Sequence, residues 1–301
     1  MKYLIALTAM LAALCAKAQD NTFFQLPVIP DELQTLQDRS DYMVKHYWDF
    51  CDLNKSFSSR DKMADAFDVY LSFMPYASAE TVYAEVDRFM EKIGKKPENV
   101  LFIGELAEGK LYSDTAEMQS DELFLLFANA IVKNKKVDKT SKLRYQHLSN
   151  VLTASAPGSL APKFNYTGLN GENGTFAVDT TKTGTILFFN DPDCEDCRMA
   201  RLRLDTDILT RKMIDGGRMA LVSVYPSEPS TEWREQAAGY PSSWISVASD
   251  DVNELYDMRV MPMFYVINPN GAILLKTVNV NDIIDIMARL NQRLATTSDT
   301  D

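Results

Sequence analysis

A short apolar run that ends just before a pair of cysteines most constrains the fold of this chain. The run Thr185–Asn190 has the pattern of a buried strand, and Cys194-Glu-Asp-Cys197 opens a helix-like segment that reaches about Ile214. Such a strand brings the first sulfur to one edge of a sheet. The N-terminal amides and the dipole of the following helix then stabilise a thiolate. The arrangement favours a redox-active cysteine pair at a strand-to-helix turn.

The same cysteine spacing also occurs in zinc knuckles and in structural disulfides. A structural zinc site needs a second pair of ligands. The remaining cysteines are Cys15 and Cys51 and the histidines are His46 and His147, all far upstream. We expect both histidines to be satisfied core side chains and Cys51 to be a buried, inert thiol. The sequence therefore predicts no metal site and keeps a structural disulfide as the second interpretation of the cysteine pair.

The pattern after residue 156 alternates strands with helices. The predicted strands are 185–190, 219–225, 244–247, 263–267 and 272–278, and the predicted helices are 194–214, 231–238, 252–258 and 281–294. Asn268-Pro-Asn-Gly271 is a hairpin signal between the last two strands. This alternation predicts an α/β domain with a central mixed sheet flanked by helices.

Residues 31 to about 153 show helical periodicity instead. Four apolar stripes carry the pattern: Met63, Phe67, Tyr70, Leu71 and Met74; Val82, Val86, Phe89, Met90 and Ile93; Leu123, Phe124, Phe127, Ala130 and Ile131; and Leu143, His147 and Val151. Ser78 and Ser120 are placed to cap the second and third helices. The pattern changes near Ala156, so we predict an all-α domain over residues 19–155 and the α/β domain over residues 156–301.

The first 18 residues have the pattern of a cleaved secretory signal. Lys2 precedes an apolar run that is too short to span a bilayer, and Ala16-Lys-Ala18 has the form of a cleavage site. Cys15 raises the alternative of a lipoprotein, but Leu14 precedes it, where a lipidation motif has a small residue. No later segment of the sequence has the pattern of a membrane span. We therefore expect a periplasmic or secreted protein, in an environment where disulfides persist.

The charge and the missing motifs exclude several classes of partner. The formal net charge is -11, which makes nucleic acid and anionic lipid poor partners. The C-terminal half contains no histidine, and the chain has neither a phosphate-binding loop nor a dinucleotide fingerprint. We expect no cofactor besides the cysteine pair itself.

Four motifs in the C-terminal half stand in an order that is typical of one protein family. They are the entry Gly158-Ser-Leu-Ala-Pro162-Lys-Phe164, the strand-to-CxxC turn from Phe188 to Cys197, the loop Val260-Met-Pro262, and the hairpin from Asn268 to Gly271. Together they make residues 156 to 296 resemble the exported TlpA/ResA-like branch of the thioredoxin-fold thiol-disulfide oxidoreductases. The helical half resembles the uncharacterised domain found ahead of such modules in secreted bacterial proteins.

The resemblance implies a role for each residue of the site. Cys194 is the exposed nucleophile, and Cys197 is the buried resolving thiol of a redox-active disulfide. Pro262 is expected to be cis, which places the Met261 backbone beside the sulfurs, where it pairs with an extended substrate segment. The implied partners are protein thiols or disulfides and an electron-donor protein.

The surroundings of Cys194 are unusually acidic. Asp191, Asp193, Glu195 and Asp196 are close to it in sequence, and negative charges raise the pKa of a thiol while the helix N-terminus lowers it. Arg198 and Arg201 are candidates to offset part of this acidity. Because a stabilised reduced form makes a strong oxidant, we expect this site to work on the reductant or isomerase side.

Two positions depart from the family pattern in a way that affects proton transfer. Phe188 stands where thioredoxins have a buried aspartate, and Ala200 stands where ResA-like proteins have a glutamate. Asp193 replaces the tryptophan that usually precedes the first cysteine. Asp193 and Asp196 are therefore our candidates for proton transfer with Cys197; the alternatives are that water takes this role or that turnover is slow.

Two other functions compete with disulfide exchange. A peroxiredoxin needs a P-x-x-x-T/S-x-x-C motif, but Leu187 and Asp191 occupy the corresponding positions. A non-catalytic binding protein of the envelope would instead use the helical half for recognition and the cysteine pair as a structural disulfide. In a combined form, the helical domain selects the protein on which the cysteines act.

Overall fold

The computed structural model of the chain describes residues 22–298. The predicted signal peptide, residues 1–18, lies outside the described residues. None of the helices in the described part of the chain combines the length and the apolar character that a bilayer span requires. Contacts define two compact units, and the boundary between them falls between Gln146 and His147.

The N-terminal unit is built from α-helices. They are α1 (Leu36–His46), α2 (Leu53–Ser56), α3 (Arg60–Phe73), α4 (Ala79–Ile93), α5 (Pro97–Ala107), α6 (Asp121–Lys133) and α7 (Lys139–Ala154), the last of which crosses the unit boundary. A 3-10 turn, Met74–Tyr76, follows α3, and a π-helical turn, Glu108–Tyr112, follows α5. These elements confirm the predicted all-α region.

Caps and buried stripes explain why these helices form where they do. The Ser78 hydroxyl accepts a hydrogen bond from the amide of Thr81, and the Ser120 hydroxyl accepts one from the amide of Leu123. The predicted stripe of α4 is buried: Val82, Val86, Phe89, Met90 and Ile93. The helical period of the sequence therefore marks the core side of α4 correctly.

Both histidines were wrongly predicted to lie in the core. Nδ1 of His147 lies 3.0 Å from a carboxylate oxygen of Glu254, and 41% of the His147 side chain is exposed. Nδ1 of His46 lies 2.8 Å from the carboxylate of Asp49, again at the surface. In each case a carboxylate partner satisfies the imidazole at the surface, so neither ring needs burial. Leu143, in the same predicted stripe as His147, is exposed as well.

The C-terminal unit is built around one mixed sheet of seven strands. The strands are β1 (Asn165–Gly168), β2 (Asn173–Thr175), β3 (Gly184–Phe189), β4 (Met219–Tyr225), β5 (Ile245–Ala248), β6 (Met263–Ile267) and β7 (Ile273–Thr277). Their order in the sheet is β2-β1-β5-β4-β3-β6-β7. Strands β3, β4 and β5 are parallel, and the remaining pairings are antiparallel. The predicted mixed sheet is confirmed.

Both faces of the central strand β3 are covered, which explains its continuous apolar run. Ile186 and Phe188 pack in a core with residues of the helices α8 (Glu195–Thr206), α9 (Ile208–Asp215), α10 (Thr231–Ala237) and α11 (Val280–Ser298). Leu187 and Phe189 face a second core, which is completed by Phe164, Phe176, Val252 and Tyr256. The helix that begins at the cysteine pair is thereby fixed against the sheet.

Two predicted helices differ from the observed structure. The segment 194–214 forms two helices rather than one, because Asp207 is extended (φ -75°, ψ 120°) and its carboxylate accepts the amide of Thr210 at 2.8 Å. The predicted helix 252–258 is only a 3-10 turn, Asp251–Glu254. The buried carboxylate of Asp257 instead accepts the amide of Arg259, which turns the chain.

The hairpin between β6 and β7 is confirmed. The Asn268 side chain accepts hydrogen bonds from the amides of Asn270 and Ala272, at 2.9 and 3.0 Å. Gly271 has φ 87°, a conformation that favours glycine. The side chain of Asn268 thus organises the turn that its sequence predicts.

Gly184→Ala should destabilise the C-terminal unit. A Cβ atom at Gly184 would lie 2.8 Å from the backbone oxygen of Ile267, and overpacking of this kind costs about 1–3 kcal/mol. Gly109→Ala is the control, because no atom lies within 4 Å of a Cβ there. Thermal melts should show a clearly lower Tm only for Gly184→Ala. Equal melting temperatures for the two variants would contradict the packing argument.

Candidate functional site

The cysteine pair lies at the carboxyl end of β3. This strand ends at Phe189, and Cys194 is the N-cap residue of α8. Cys194 and Cys197 form a disulfide in which the Cα atoms are 5.2 Å apart. Cys194 is half-buried, whereas Cys197 is only 2% exposed. The first cysteine is therefore partly open to solvent and the second is covered.

Two backbone groups lie close to the Cys194 sulfur: an amide of its own helix and a carbonyl group of a loop that is distant in sequence. The amide of Cys197 donates a hydrogen bond to Cys194 Sγ at 3.0 Å. The carbonyl oxygen of Met261 lies 3.7 Å from the same sulfur, and the Met261–Pro262 peptide bond is cis, as the resemblance implies. The structure thus brings together four of the predicted site residues. Their roles in catalysis remain a prediction.

The acidic residues lie on the solvent side of the turn. The Asp191 carboxylate accepts the amide of Asp193 at 2.8 Å and so holds the turn before the helix. Asp193 and Asp196 are both exposed. Glu195 accepts a hydrogen bond from Arg198 Nε at 2.8 Å, and this bond lowers the pKa of Glu195. One acid of the four therefore has its charge offset by Arg198, and proton transfer by Asp193 or Asp196 remains a prediction.

A buried polar network supports the loop before Cys194. Asn190 is 2% exposed, and its Nδ2 donates to the Ser223 hydroxyl at 2.8 Å. The Tyr240 hydroxyl lies 3.2 Å from Asn190 Oδ1 and 2.7 Å from Gln236 Oε1. The amide of the Gln236 side chain donates to the carbonyl oxygen of Pro192 at 3.3 Å. Two separate segments of the chain, at Ser223 and at residues 236–240, are thereby tied to the loop that carries Cys194.

Sequence reasoning missed this network. Its one signal is a polar residue, Asn190, at the end of an otherwise apolar buried run. Buried polar groups need hydrogen-bond partners, so such a residue predicts a partner without identifying it. Tyr240 is 50 residues away, and nothing in the local sequence pattern links the two.

Arg201 packs against the same network. Its guanidinium carbon lies 5.0 Å from the centre of the Tyr240 ring, within cation–π distance. Burial raises the pKa of Tyr240, and the charge of Arg201 acts in the opposite direction. Within the part of the chain that the structure describes, the Nε atom of Arg201 is buried and has no hydrogen-bond partner.

The two positions that depart from the pattern of the resembled family, Phe188 and Ala200, are apolar and buried in this chain. Phe188 stacks on Phe264, with ring centres 4.8 Å apart, and meets Trp244 edge-on. Ala200 is 4% exposed and belongs to the same core. No carboxylate therefore reaches Cys197 from either position.

A buried ion cluster precedes the Met261 loop. The Asp257 side chain is 1% exposed; it accepts a hydrogen bond from Arg259 Nε at 2.8 Å and is paired with the Lys276 ammonium. The Tyr265 hydroxyl donates to the Asp257 carbonyl oxygen at 2.8 Å. Burial alone would raise the pKa of Asp257, but the charges of Lys276 and Arg259 outweigh it and hold that pKa below its usual range. The cluster fixes the chain four residues before Met261.

The described residues hold no group of three or more His, Cys, Asp or Glu side chains arranged to bind a metal ion. The groups at the predicted site are the two sulfurs, the N–H donor of Cys197 and the carbonyl acceptor of Met261. This set suits thiol–disulfide exchange, since a helix N-terminus stabilises a thiolate and a free backbone edge can pair with a peptide.

Comparison with known proteins identifies the fold. Residues 11–155 match the family described as Domain of unknown function (DUF5106). No curated protein is significantly similar to the chain. A solved structure of a thioredoxin-like protein from Bacteroides caccae ATCC 43185 has a TM-score of 0.74 at 21% sequence identity, covering 89% of this chain and 98% of the other. This likeness confirms a thioredoxin-like α/β domain preceded by a helical region.

Other solved structures are similar to part of the chain. The thioredoxin domain of a thiol-disulfide oxidoreductase from Bacteroides vulgatus is 19% identical, with a TM-score of 0.38, and the match covers 45% of this chain and 97% of that domain. A thiol-disulfide oxidoreductase from Bacteroides fragilis NCTC 9343 is 17% identical, with a TM-score of 0.38, and the match covers 44% of this chain and 99% of the other.

Asp257→Asn should destabilise the protein by about 3–5 kcal/mol near neutral pH, because it removes the negative charge of a buried carboxylate that is paired with two buried cations. The folded pKa of Asp257 is lowered, so its contribution is complete above the unfolded pKa of about 3.9 and is lost as the pH falls through the folded value. The difference between wild type and variant, measured by urea unfolding, should therefore shrink below about pH 4.

Asp215→Asn is the control for Asp257→Asn. Asp215 lies 3.8 Å from Arg211 with 48% of its side chain exposed, and exposed pairs contribute about 0–1 kcal/mol. A loss of stability at Asp257 no larger than that at Asp215, or one that does not depend on pH, would contradict the role given to the buried cluster.

Proposed function

We propose that this protein is an exported thiol-disulfide oxidoreductase that exchanges the Cys194–Cys197 disulfide with disulfides or thiols of protein substrates. One observation carries the proposal: a half-buried Cys194 sulfur at a helix N-terminus, 3.0 Å from a donor amide and 3.7 Å from the carbonyl of Met261. A disulfide with only a structural role has no need of this combination. The sequence pattern of residues 1–18 supports export.

The exchange proceeds in two displacement steps. In the reduced protein, the Cys194 thiolate attacks a substrate disulfide, so that a mixed disulfide forms and one substrate sulfur leaves as a thiolate. The Cys197 thiolate then attacks Cys194 Sγ, which closes the protein disulfide and releases the second substrate sulfur. Two electrons pass to the substrate, and its two sulfurs take up protons from solvent. The amide of Cys197 stabilises the attacking thiolate of Cys194.

Substrate binding involves the Met261–Pro262 backbone. The carbonyl of Met261 lies beside the reactive sulfur, where an extended substrate segment can add to the protein as a further strand. Recognition through the backbone tolerates many substrate sequences. This mode fits protein substrates better than small thiols.

We place the site on the reductant or isomerase side. Asp191, Asp193 and Asp196 disfavour a nearby thiolate, while Glu195 is the one of these four acids that pairs with an arginine among the described residues. A less stabilised reduced form passes its electrons on more readily. Re-reduction of the disulfide would require a dithiol partner protein as electron donor.

Cys197→Ser should accumulate a mixed disulfide at Cys194, because it removes the sulfur that resolves the intermediate. The reduced variant, in a Cys51→Ser background, is mixed with insulin, and the adduct is identified by mass spectrometry. Cys194→Ser is the matched control and should give no adduct. Absence of an adduct, together with no insulin reduction by the wild type, would leave the disulfide a structural role in a binding protein.

The reduction potential tests the direction of electron flow. Equilibration with glutathione should give a value at or below about -180 mV, which is typical of an isomerase or a reductant. Glu195→Gln is a useful comparison, because Glu195 is already paired with Arg198 and its loss should change the potential little. A value near about -120 mV, typical of a strong oxidant, would contradict the proposed direction.

A further inference from the structure

Cys197 has an unfavourable position for a thiolate. It is 2% exposed, and burial raises the pKa of a thiol because it disfavours the charged form. The resolving step nevertheless needs a thiolate at this residue. Phe188 and Ala200 offer no carboxylate to take its proton, as described above. A different group must favour ionisation of Cys197.

Arg201 lies one helical turn beyond Cys197 on the same face of α8. Residues four apart on a helix have Cβ atoms about 5–6 Å apart. Long side chains on a helix point back toward its N-terminus, so a side chain covers the turn before its own Cα. This geometry allows an arginine at position 201 to reach back toward the turn that carries Cys197.

The guanidinium of Arg201 is held against an aromatic ring. The Tyr240 ring lies under it at 5.0 Å, and the Tyr240 hydroxyl is itself bound to Asn190 and Gln236. The Nε atom is buried without a hydrogen-bond partner among the described residues. A buried donor left unpaired costs stability. In the disulfide the Cys197 sulfur carries no charge, whereas in the reduced protein Cys197 can ionise to a thiolate.

We propose that Arg201 is the electrostatic partner of the Cys197 thiolate and takes the place of the acids that relatives use to deprotonate this residue. The inference rests on the proposed function. Arg201 stabilises the thiolate that forms when the Cys197 proton leaves for solvent. That thiolate then attacks Cys194 Sγ, and the bond between Cys194 and the substrate sulfur breaks. No further reactant is needed for the step.

Other charges near the cysteine pair do not take this role. Asp191, Asp193 and Asp196 act against a thiolate, and Arg198 is paired with Glu195. Ahead of the Met261 loop, Asp257 is held by Arg259 and Lys276. Tyr240 is neutral at ordinary pH, since burial raises its pKa. Arg203, on the same helix, is exposed and lies six residues after Cys197, on a different face. Arg201 therefore remains as the cation on the face of the helix that carries Cys197.

The test is a thiolate titration of Cys197, followed by absorbance at 240 nm in the full chain. Cys194→Ser and Cys51→Ser remove the other thiols of residues 22–298, and the same protein with Cys197→Ser supplies the baseline. Arg201→Met should raise the midpoint by about one pH unit, a tenfold loss of thiolate at neutral pH, because an opposite charge nearby shifts a pKa by about 1–3 units. Arg201→Lys keeps the charge and should recover most of this shift.

Arg198→Met is the matched control, since it removes an exposed arginine from the same helix and should leave the midpoint unchanged. Equal midpoints for Arg201→Met and Arg198→Met would overturn the proposal. Should Arg201→Met fail to fold, Arg201→Gln takes its place with the same expected shift. The titration uses no substrate, so its outcome is independent of the insulin assay that tests the proposed function.

Discussion

The pairing of β3 with β6 is the constraint on which the site depends. The two strands are antiparallel, and Phe189, the last residue of β3, is opposite Met263, the first residue of β6. The chain leaves one strand and enters the other at the same edge of the sheet. The loop that leads to Cys194 and the loop that contains Met261 must therefore meet there. A contact between residues 67 apart in sequence follows from this register, and a shift by one residue would point every side chain of the strand to the opposite face.

Burial of both faces of β3 specifies this register. It also limits which side chains can lie beneath the cysteines. The strand is flanked by β4 and β6, and its side chains fill two apolar cores. An acid at Phe188 would need a polar partner inside the first core. The chain places its polar residue two positions later, at Asn190, where β4 and the Tyr240 segment supply hydrogen bonds. The polar support of the site therefore lies under the loop rather than under the strand.

The parts of the structure that local patterns determine were predictable, and the parts that depend on distant contacts were not. The strand before the cysteines, the hairpin at Asn268 and the stripe of α4 follow from runs, turn residues and helical spacing. The break at Asp207 could not be predicted from spacing, because an aspartate fits both a helix surface and an N-cap. The partners of Asn190 and Asp257 come from segments that only the sheet brings together, and the position of His147 depends on Glu254.

The acidity of the site and the position of Arg201 are compatible because the two sets of charges lie in different surroundings. Asp193 and Asp196 are exposed, where water and salt screen their effect on the sulfurs. Two charges at a given separation have an interaction energy about four times larger at the effective dielectric constant of a protein than in water. The proposed interaction of Arg201 with Cys197, which is only 2% exposed, is therefore screened less than that of the exposed carboxylates, whereas Cys194, at the rim, experiences the carboxylates together with the helix amides. The two groups of charges then act on different steps: the carboxylates act on the Cys194 thiolate, on which the proposed direction of electron flow rests, and Arg201 acts on the Cys197 thiolate of the resolving step.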